Sequence, residues 1–309
     1  MSQPIVVVGS LNMDFVVQVD ALPERGQTVS GRAFAMLPGG KGANQACAAG
    51  RLGGRCQMIG RVGRDVFGEK LAASLADAGV DTSRVLVTDG EATGVALIPV
   101  EAGGQNLIIV AGGANLRLTP GDVETALDAS REGLLLAQLE SPAETVEAAI
   151  TRGRSRGMRI ILDPAPARPL SPALLHAVDI LTPNESEALV LLGLRGSVVS
   201  IDEAAALGRR LLEMGPGAVL LKLGANGAYL ADATGGHHFP ARRVAAVDAT
   251  AAGDTFNGAL AVALGEHRDM ADAVAFANAA ASISVTRLGA QASIPTRDEV
   301  DALMTQASG

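Results

Sequence analysis

The chain has 309 residues, 48% of them apolar, 19% charged and 2% aromatic, with a formal charge of −8. That balance supports a sizeable core and argues against a general nucleic-acid surface, which needs excess positive charge and, for single strands, aromatic stacking platforms. No run of 18 apolar residues occurs, so no membrane span is expected, and two cysteines are too few for a disulfide framework, which fits a reducing cytosol. Met1 to Gly9 lacks the basic region and cleavage site of a secretory signal, and a cytoplasmic location follows as the expectation.

In chain order, short β-branched runs alternate with longer Ala/Leu-rich helical patterns. Ile5–Val8, Gln57–Arg61, Leu134–Gln138, Arg159–Leu162, Ile180–Thr182 and Val219–Leu223 read as strands, the βαβα signature of a parallel sheet covered on both faces. Phe15–Val19 and Thr28–Leu37, joined through Pro23-Glu-Arg-Gly26, alternate like half-exposed strands. Thr93–Pro99 and Asn106–Val110 form a second hairpin around Ala102-Gly-Gly104. Neither hairpin is long enough to fold alone, so both are expected to join one small antiparallel sheet. It would project from the body over residues 12–38 and 92–112 as a lid on a single domain spanning 1–309.

Helix starts are marked by Thr119-Pro120 and by three capping-box patterns, Ser141 to Glu144, Ser200 to Glu203 and Thr296 to Glu299. Arg152, Arg154 and Arg156 read as cations favoured at a helix C-terminus, and His237 and His238 as a surface turn. Cys47 reads as a small buried hydrophobe.

The polar residues with chemical potential collect at strand ends. Asn12 and Asp14 follow the first strand, where open α/β sheets bind ligands, and their alternation suits a polyol. Glu140 follows Leu134–Gln138 on the same sheet edge. Asn184 and Glu187 follow Ile180–Thr182 and share a helix face at i, i+3, with N-capping as the competing role. The loop Pro38-Gly39-Gly40-Lys41-Gly42-Ala43-Asn44 precedes the helical run Gln45–Leu52. Its glycines admit close backbone approach, Lys41 supplies a cation and Asn44 a donor and an acceptor. It is not a phosphate-binding P-loop, since Gly42 rather than Ser or Thr follows the lysine. Lys222-Leu223-Gly224-Ala225-Asn226-Gly227 is glycine-spaced for a nucleotide, or is an ordinary turn.

The most informative run is Asp248-Ala-Thr-Ala-Ala-Gly-Asp254-Thr-Phe-Asn-Gly258. Ala251, Ala252 and Gly253 have side chains too small to shield the N–H groups that open the predicted helix Gly253–Leu264, and together they form an anion cradle. Asp254, in the first turn, stands where a carboxylate accepts a proton from an attacking hydroxyl. Read locally, an acidic first turn favoured by the helix dipole explains the run equally well.

Gly9-Ser-Leu-Asn12-Met-Asp14, Gly39-Gly-Lys-Gly-Ala-Asn44-Gln45, Gln138-Leu-Glu140-Ser-Pro142, Asp163-Pro-Ala-Pro-Ala-Arg168, Thr182-Pro-Asn184-Glu-Ser-Glu187 and Ala251-Ala-Gly-Asp254-Thr-Phe-Asn-Gly258 occur in this order from about residue 5 to 305. The set closely resembles the ribokinase/PfkB carbohydrate kinase family. The resemblance implies a three-layer α/β/α ribokinase-like fold with a central mostly parallel sheet, and ATP-dependent phosphorylation of D-ribose at its 5-hydroxyl. Asn12, Asp14, Gly39, Gly40, Lys41, Asn44 and Glu140 would bind the sugar, with Asp254 as base. Asn184, Lys222, Leu223, Gly224, Ala225, Asn226, Gly227, Gly253 and Asn278 would line the ATP site. Asn184 and Glu187 would organise Mg²⁺ largely through water. Asp248, Thr250, Ser284, Arg287, Gly289 and Ser293 would form a site for an activating monovalent cation, normally K⁺. A homodimer through the lid sheets is implied as well, with no nucleic-acid or membrane partner. Ala249, Lys222 and Asn278 depart from the family's usual residues. The competing readings are a kinase for deoxyribose, another pentose or a nucleoside, and a non-enzymatic sugar-binding protein.

Overall fold

The computed structural model describes residues 2–101, 105–129, 132–196 and 200–305. The strands are β1 (Ile5–Val8), β2 (Asn12–Val19), β3 (Gly31–Gly39), β4 (Cys56–Gly63), β5 (Asp81–Thr88), β6 (Gly94–Glu101), β7 (Ile109–Ala111), β8 (Leu134–Ala137), β9 (Arg159–Leu162), β10 (Ile180–Leu181), β11 (Ala218–Lys222), β12 (Ala228–Asp232) and β13 (Gly235–Phe239). The helices are α1 (Lys41–Arg51), α2 (Val66–Asp77), α3 (Pro120–Asp128), α4 (Ala143–Ser155), α5 (Pro172–His176), α6 (Glu185–Leu191), α7 (Ile201–Leu212), α8 (Ala252–Gly265), α9 (Met270–Ser284) and α10 (Arg297–Thr305).

Nine strands form the large sheet in the order β13-β12-β11-β10-β9-β8-β1-β4-β5, parallel from β5 to β11 and antiparallel at β12 and β13. The strand period of two sorts the core into two layers. Ile5, Val7, Leu134 and Leu136 pack on the side of α1, α2, α8, α9 and α10, while Val6, Val8, Leu135 and Ala137 face α3 to α7. The result is the three-layer architecture read from the sequence. Because the chain winds from β1 through β4 to β5, then from β8 outward on the other side, the strand order reverses beside β1. The crevice at the carboxyl ends there is where such sheets place ligands.

The second sheet runs β3-β2-β6-β7. Both hairpins pair antiparallel as expected, and the seam joining them, β2 to β6, is parallel. The expected Ala102-Gly-Gly104 turn lies outside the described residues. Asn12 and Asp14 do not sit in a loop after β1: they open β2, opposite Gly39 and Leu37 of β3. The first strand of the small sheet thus begins inside the crevice.

The capping boxes at Thr119 and Ser200 form, the former completed by Asp122, and Glu299 accepts from the Thr296 backbone N–H. The Ser141 box does not form. Pro142 takes the N-cap of α4, so Glu144 falls a position too early to reach back. Arg152 and Arg154 lie in the last turn of α4 and Arg156 at its C-cap, as read from the sequence; Arg152 and Arg156 close on Asp128, and Arg154 on Asp179. Cys47 and Cys56 are free and buried. Among the described residues no helix is long and apolar enough to cross a membrane.

Helices α1 and α8 pack closely. A methyl group built on Gly258 would meet the Gln45 carbonyl oxygen and the Ala48 Cβ at 2.6 Å, so these two helices touch almost backbone to backbone.

Candidate active site

Ser10 and Leu11 carry the chain from β1 into β2, and α1 starts directly across from them. Gly40, with φ of 90°, has room for no side chain because a Cβ would lie 2.7 Å from the Asn12 backbone nitrogen. At Gly39 a Cβ would land on the Asp14 carboxylate. These two glycines therefore let the start of α1 close against β2, which brings Asn12, Asp14, Lys41 and Asn44 to one spot. Glu140, just past β8, joins them: it accepts from the Ser10 hydroxyl at 2.5 Å and from the Lys41 backbone N–H at 3.2 Å.

Asp14 is buried, with no ion-pair partner among the described residues. Burial, then the Glu140 and Asp254 carboxylates, push its pKa up to about 7, against the opposing pull of Lys41. A carboxylate whose folded pKa exceeds its unfolded value of about 3.9 contributes stability that is fully present below that value and lost as pH rises through about 7. Asp14→Asn is therefore expected to raise Tm by about 2–4 °C at pH 8, the size of shift that about 1 kcal/mol produces, and by less at pH 5. Thermal melts at both pH values check this, and an equal gain at each would remove Asp14 titration as the cause.

Asp254 lies at the third residue of α8, fully packed between α1 and the sheet edge. Asn44 Nδ2 donates to its Oδ2 at 3.0 Å and Gln45 Nε2 to its Oδ1 at 3.1 Å. Burial raises its pKa to about 6, more than Lys41 and the two amide donors lower it, and the Asp163 carboxylate adds to the rise. An exposed aspartate near 3.9 would be a feeble base. This one is matched to proton transfer near neutrality. Lys41 is the reverse case: burial would lower it, but Asp254, Asp163, Glu140 and Glu187 together hold its ammonium above its ordinary range.

The turn before α8 is held by Asp248. Ala251 adopts a left-handed conformation, φ 58° and ψ 14°, at the N-cap, a backbone state that costs a residue with a Cβ about 1–2 kcal/mol and concentrates at functional loops. Of the three small residues expected to form the cradle, Ala252 donates its N–H to the Ala249 carbonyl at 3.2 Å. Ala251, Ala252 and Gly253 line a cavity of about 580 Å³, together with Lys41, Asp254 and Glu187.

Asn184 and Glu187 meet as a reciprocal cap of α6. The Asn184 side chain accepts from the Glu187 N–H, and the Glu187 carboxylate accepts from the Asn184 N–H at 2.7 Å and from its Nδ2 at 2.9 Å. Both also line the cavity, and burial raises the Glu187 pKa despite Lys222. Capping α6 therefore does not take either residue away from the cavity.

At the far side, Lys222 ends β11, Gly224–Asn226 form a 3₁₀ turn, and Gly227 has φ of 89°. Asn278 of α9 donates to the Phe239 carbonyl at 3.2 Å, and the His238 Nε2 lies 2.6 Å from the Asn226 carbonyl oxygen. The end of β13 thus links Asn278 to the glycine turn, and of this group Lys222 and Gly224 line the cavity.

Asp248 knits two loops together. Its carboxylate accepts from the Thr250 N–H and hydroxyl and from the Gly289 N–H at 2.8 Å, and its own N–H donates to the Val285 carbonyl. Ser284 and Ser293 direct their hydroxyls to the Ala281 and Ala290 carbonyls, whereas Arg287 turns away to Glu299. Among the described residues no group of three or more His, Cys, Asp or Glu is set for a metal ion, so a cation between these loops would rely on carbonyl and hydroxyl oxygens.

Four contributors were absent from the sequence-based set. Gln45 and Asp163 hydrogen-bond at 2.9 Å beside Asp254, and Gln138 donates to Gln45 at 2.7 Å. Asn115, 103 residues beyond Asn12 in the chain, donates to Asn12 Oδ1 at 2.8 Å and accepts from the Leu11 N–H. Gln45 and Asp163 stood inside motifs already noted, so motif membership was the available signal. For Asn115 no local pattern offered one.

Comparison with known proteins follows the same outline. A family model described as pfkB family carbohydrate kinase matches residues 2–297. The chain is 41% identical over 302 residues to a ribokinase of Bacillus subtilis, covering 97% of this chain and 99% of that one. It is 39% identical over 300 residues to a ribokinase of Haemophilus influenzae, covering 97% of each. The structure of an Arabidopsis thaliana ribokinase complexed with ribose and ATP superposes with a TM-score of 0.89 at 34% identity, covering 98% of this chain and 99% of that one.

Proposed function

We propose that this chain, which belongs to the pfkB family of carbohydrate kinases, transfers the γ-phosphoryl group of ATP to the 5-hydroxyl of D-ribose, giving D-ribose 5-phosphate and ADP. The observation that carries the reading is Asp254: a buried carboxylate with a raised pKa, fixed by two amide donors in the first turn of α8 and open to the cavity. A second observation supports a polyol. Asn44 Oδ1 is buried without a hydrogen-bond partner among the described residues, while its Nδ2 serves Asp254, so a hydroxyl donor completes it.

In this reading Asn12, Asp14, Gly39, Gly40, Lys41, Asn44 and Glu140 hold the sugar beneath the small sheet, which acts as a lid. The 5-hydroxyl oxygen attacks the γ-phosphorus, its proton passes to Asp254, and the bond to the bridging oxygen of ADP breaks. The N–H groups of Ala251 and Gly253 and the α8 dipole stabilise charge on the phosphoryl oxygens, while the Ala252 N–H is taken by the Ala249 carbonyl. The group from Lys222 through Leu223, Ala225 and Gly227 to Asn278 receives the nucleotide.

Asn184 and Glu187 fit a water-mediated Mg²⁺ site, since their oxygens are already committed to the α6 cap and Mg²⁺ keeps much of its water. When bound, that ion neutralises phosphate charge. The oxygens around Asp248, Thr250, Ser284, Gly289 and Ser293 fit a K⁺ ion that fixes the Ala251 turn, while Arg287, paired with Glu299, supplies at most its backbone.

An ADP-release assay over ribose, deoxyribose, arabinose, fructose 6-phosphate and adenosine, each with and without K⁺, tests the proposal. Ribose turnover stimulated by K⁺ is expected. Preference for another sugar overturns the substrate, and sugar-independent silence overturns the enzyme.

The protein acts in the cytoplasm as a homodimer. Phe34, Leu97 and Ile109 of the small sheet are 58%, 48% and 61% exposed, an apolar face that a second copy would cover. Light scattering at micromolar concentration is expected to give twice the chain mass, and Ile109→Lys the single mass. A wild-type monomer would overturn the dimer.

A further inference from the structure

The cavity is short of positive charge for an anionic ligand. Its lining carries the acids Asp163, Glu185, Glu187 and Asp254 against two bases, Lys41 and Lys222, and Lys41 already answers the carboxylates around it. Lys222 is anchored by its backbone, whose N–H donates to the Pro183 carbonyl at 2.8 Å beside Asn184. Its side chain then crosses to Asp163, Nζ to Oδ1, at 2.9 Å, and the two side chains are only 13% and 3% exposed. The ammonium rests over the first turn of α8, since a methyl group built on Gly253 would meet Nζ at 3.3 Å. Asp163 Oδ2 accepts from Gln45 Nε2, and that same nitrogen donates to Asp254. One unbroken chain therefore runs from Lys222 through Asp163 and Gln45 to Asp254.

We infer that Asp163 is a positioning residue serving both ends of this chain: it holds Lys222 as a second phosphate-facing cation above the α8 turn, and it fixes the Gln45 amide that steadies Asp254. The inference rests on the phosphotransfer reading above for the identity of the anion. A lysine side chain has many rotamers, and ordering one at the moment of binding opposes affinity. Tethering it beforehand to a buried carboxylate removes that cost and keeps the ammonium from swinging to Glu187, whose ionisation it already favours. Asp163 also pays a cost in charge: it opposes ionisation of Asp254, which is otherwise faced by Lys41 from α1 and influences Asp14 from β2.

The experiment uses the full-length protein and three variants, Lys222→Met, Lys222→Arg and Asp163→Asn, with folding checked by circular dichroism. Calorimetric titration with ADP and with AMP separates a phosphate contact from a shape effect. Lys222→Met is expected to weaken ADP about tenfold, the worth of one charge-assisted hydrogen bond, and AMP less than about twofold, with Lys222→Arg restoring most of the loss. Equal losses for ADP and AMP would overturn the cation role. Asp163→Asn is expected to lower kcat roughly tenfold with little change in the sugar KM, and to move the acidic limb of the rate profile to lower pH. Lys222→Met should move that limb the opposite way. A limb unmoved in both variants would overturn the positioning role. Wild-type protein that binds ADP yet turns over no ribose would defeat the substrate assignment alone, because the ADP and AMP comparison needs no sugar. If Asp163→Asn fails to fold, the ADP and AMP comparison on the two Lys222 variants still decides the cation role, and a limb unmoved in Lys222→Met alone overturns the positioning role.

Discussion

Replacing Asp254 with Asn is expected to lower kcat by roughly 10²–10⁴-fold, the usual worth of a general base, while ribose and ATP affinities change little. The substitution keeps shape but removes the proton acceptor: the Asn44 and Gln45 amides donate to different oxygens of Asp254, so one keeps a carbonyl oxygen and the other meets the new NH2 group. Stability should not fall. Asp254 has its folded pKa raised to about 6, so its ionised form destabilises the fold above that pH and an amide escapes the penalty. The same value sets the wild-type profile: turnover should rise with pH through about 6 as the carboxylate ionises. Steady-state kinetics over pH 5–9 check both statements. A variant with near-wild-type turnover would remove Asp254 from the role of base.

Lys41→Met is expected to be nearly as damaging, with kcat lower by roughly 10²–10³-fold, comparable to losing one charge-stabilising group at a transition state. Lys41 faces Asp254, Asp163, Glu140 and Glu187, and without it those carboxylates are left without their shared cation. Asp254 then holds its proton to higher pH. The acidic limb should therefore move above pH 6, because the pull of Lys41 is the largest influence favouring ionised Asp254. Lys41→Arg, which keeps the charge, should return the limb toward its original position. An unmoved limb in the methionine variant would separate Lys41 from the ionisation of Asp254.

Much of this was legible in the residues alone. Val6, Val7 and Val8, or Leu134 to Leu136, announce buried parallel strands because both faces are covered and every position is apolar. β5, β12 and β13 escaped that test. Asp81-Thr-Ser-Arg84 and Gly235-Gly-His-His238 sit at sheet edges, where one side meets solvent and polar side chains are tolerated. Ser141 matched a helix-start pattern yet lost to Pro142, whose fixed φ suits the N-cap. At the site, spacing marked Asp254, Asn44, Asn184 and Glu187. It could not assign pKa values, because those depend on burial and on which charges tertiary packing brings near. Asp14 shows the gap well: nothing in its neighbourhood along the chain foretells that Glu140 and Asp254 close on it. Asn115 was likewise invisible, since its partnership with Asn12 exists only once the 3₁₀ turn Gly113–Arg117 and β2 are folded together.

The close contact at Gly258 has a bearing on how this protein could change. Gln45 and Asp254 ride on α1 and α8, and those helices are spaced by glycine and alanine with no side chain to adjust. The proton acceptor and its donors are therefore registered by backbone contact, and a bulkier residue at position 258 would drive them apart. Asn12 and Asp14 ride instead on β2, whose partners in the small sheet pair through main-chain bonds that tolerate many side chains. Selection for a new sugar can work on that sheet while the helix pair stays fixed. Reactivity is inherited as a unit, and taste is negotiable.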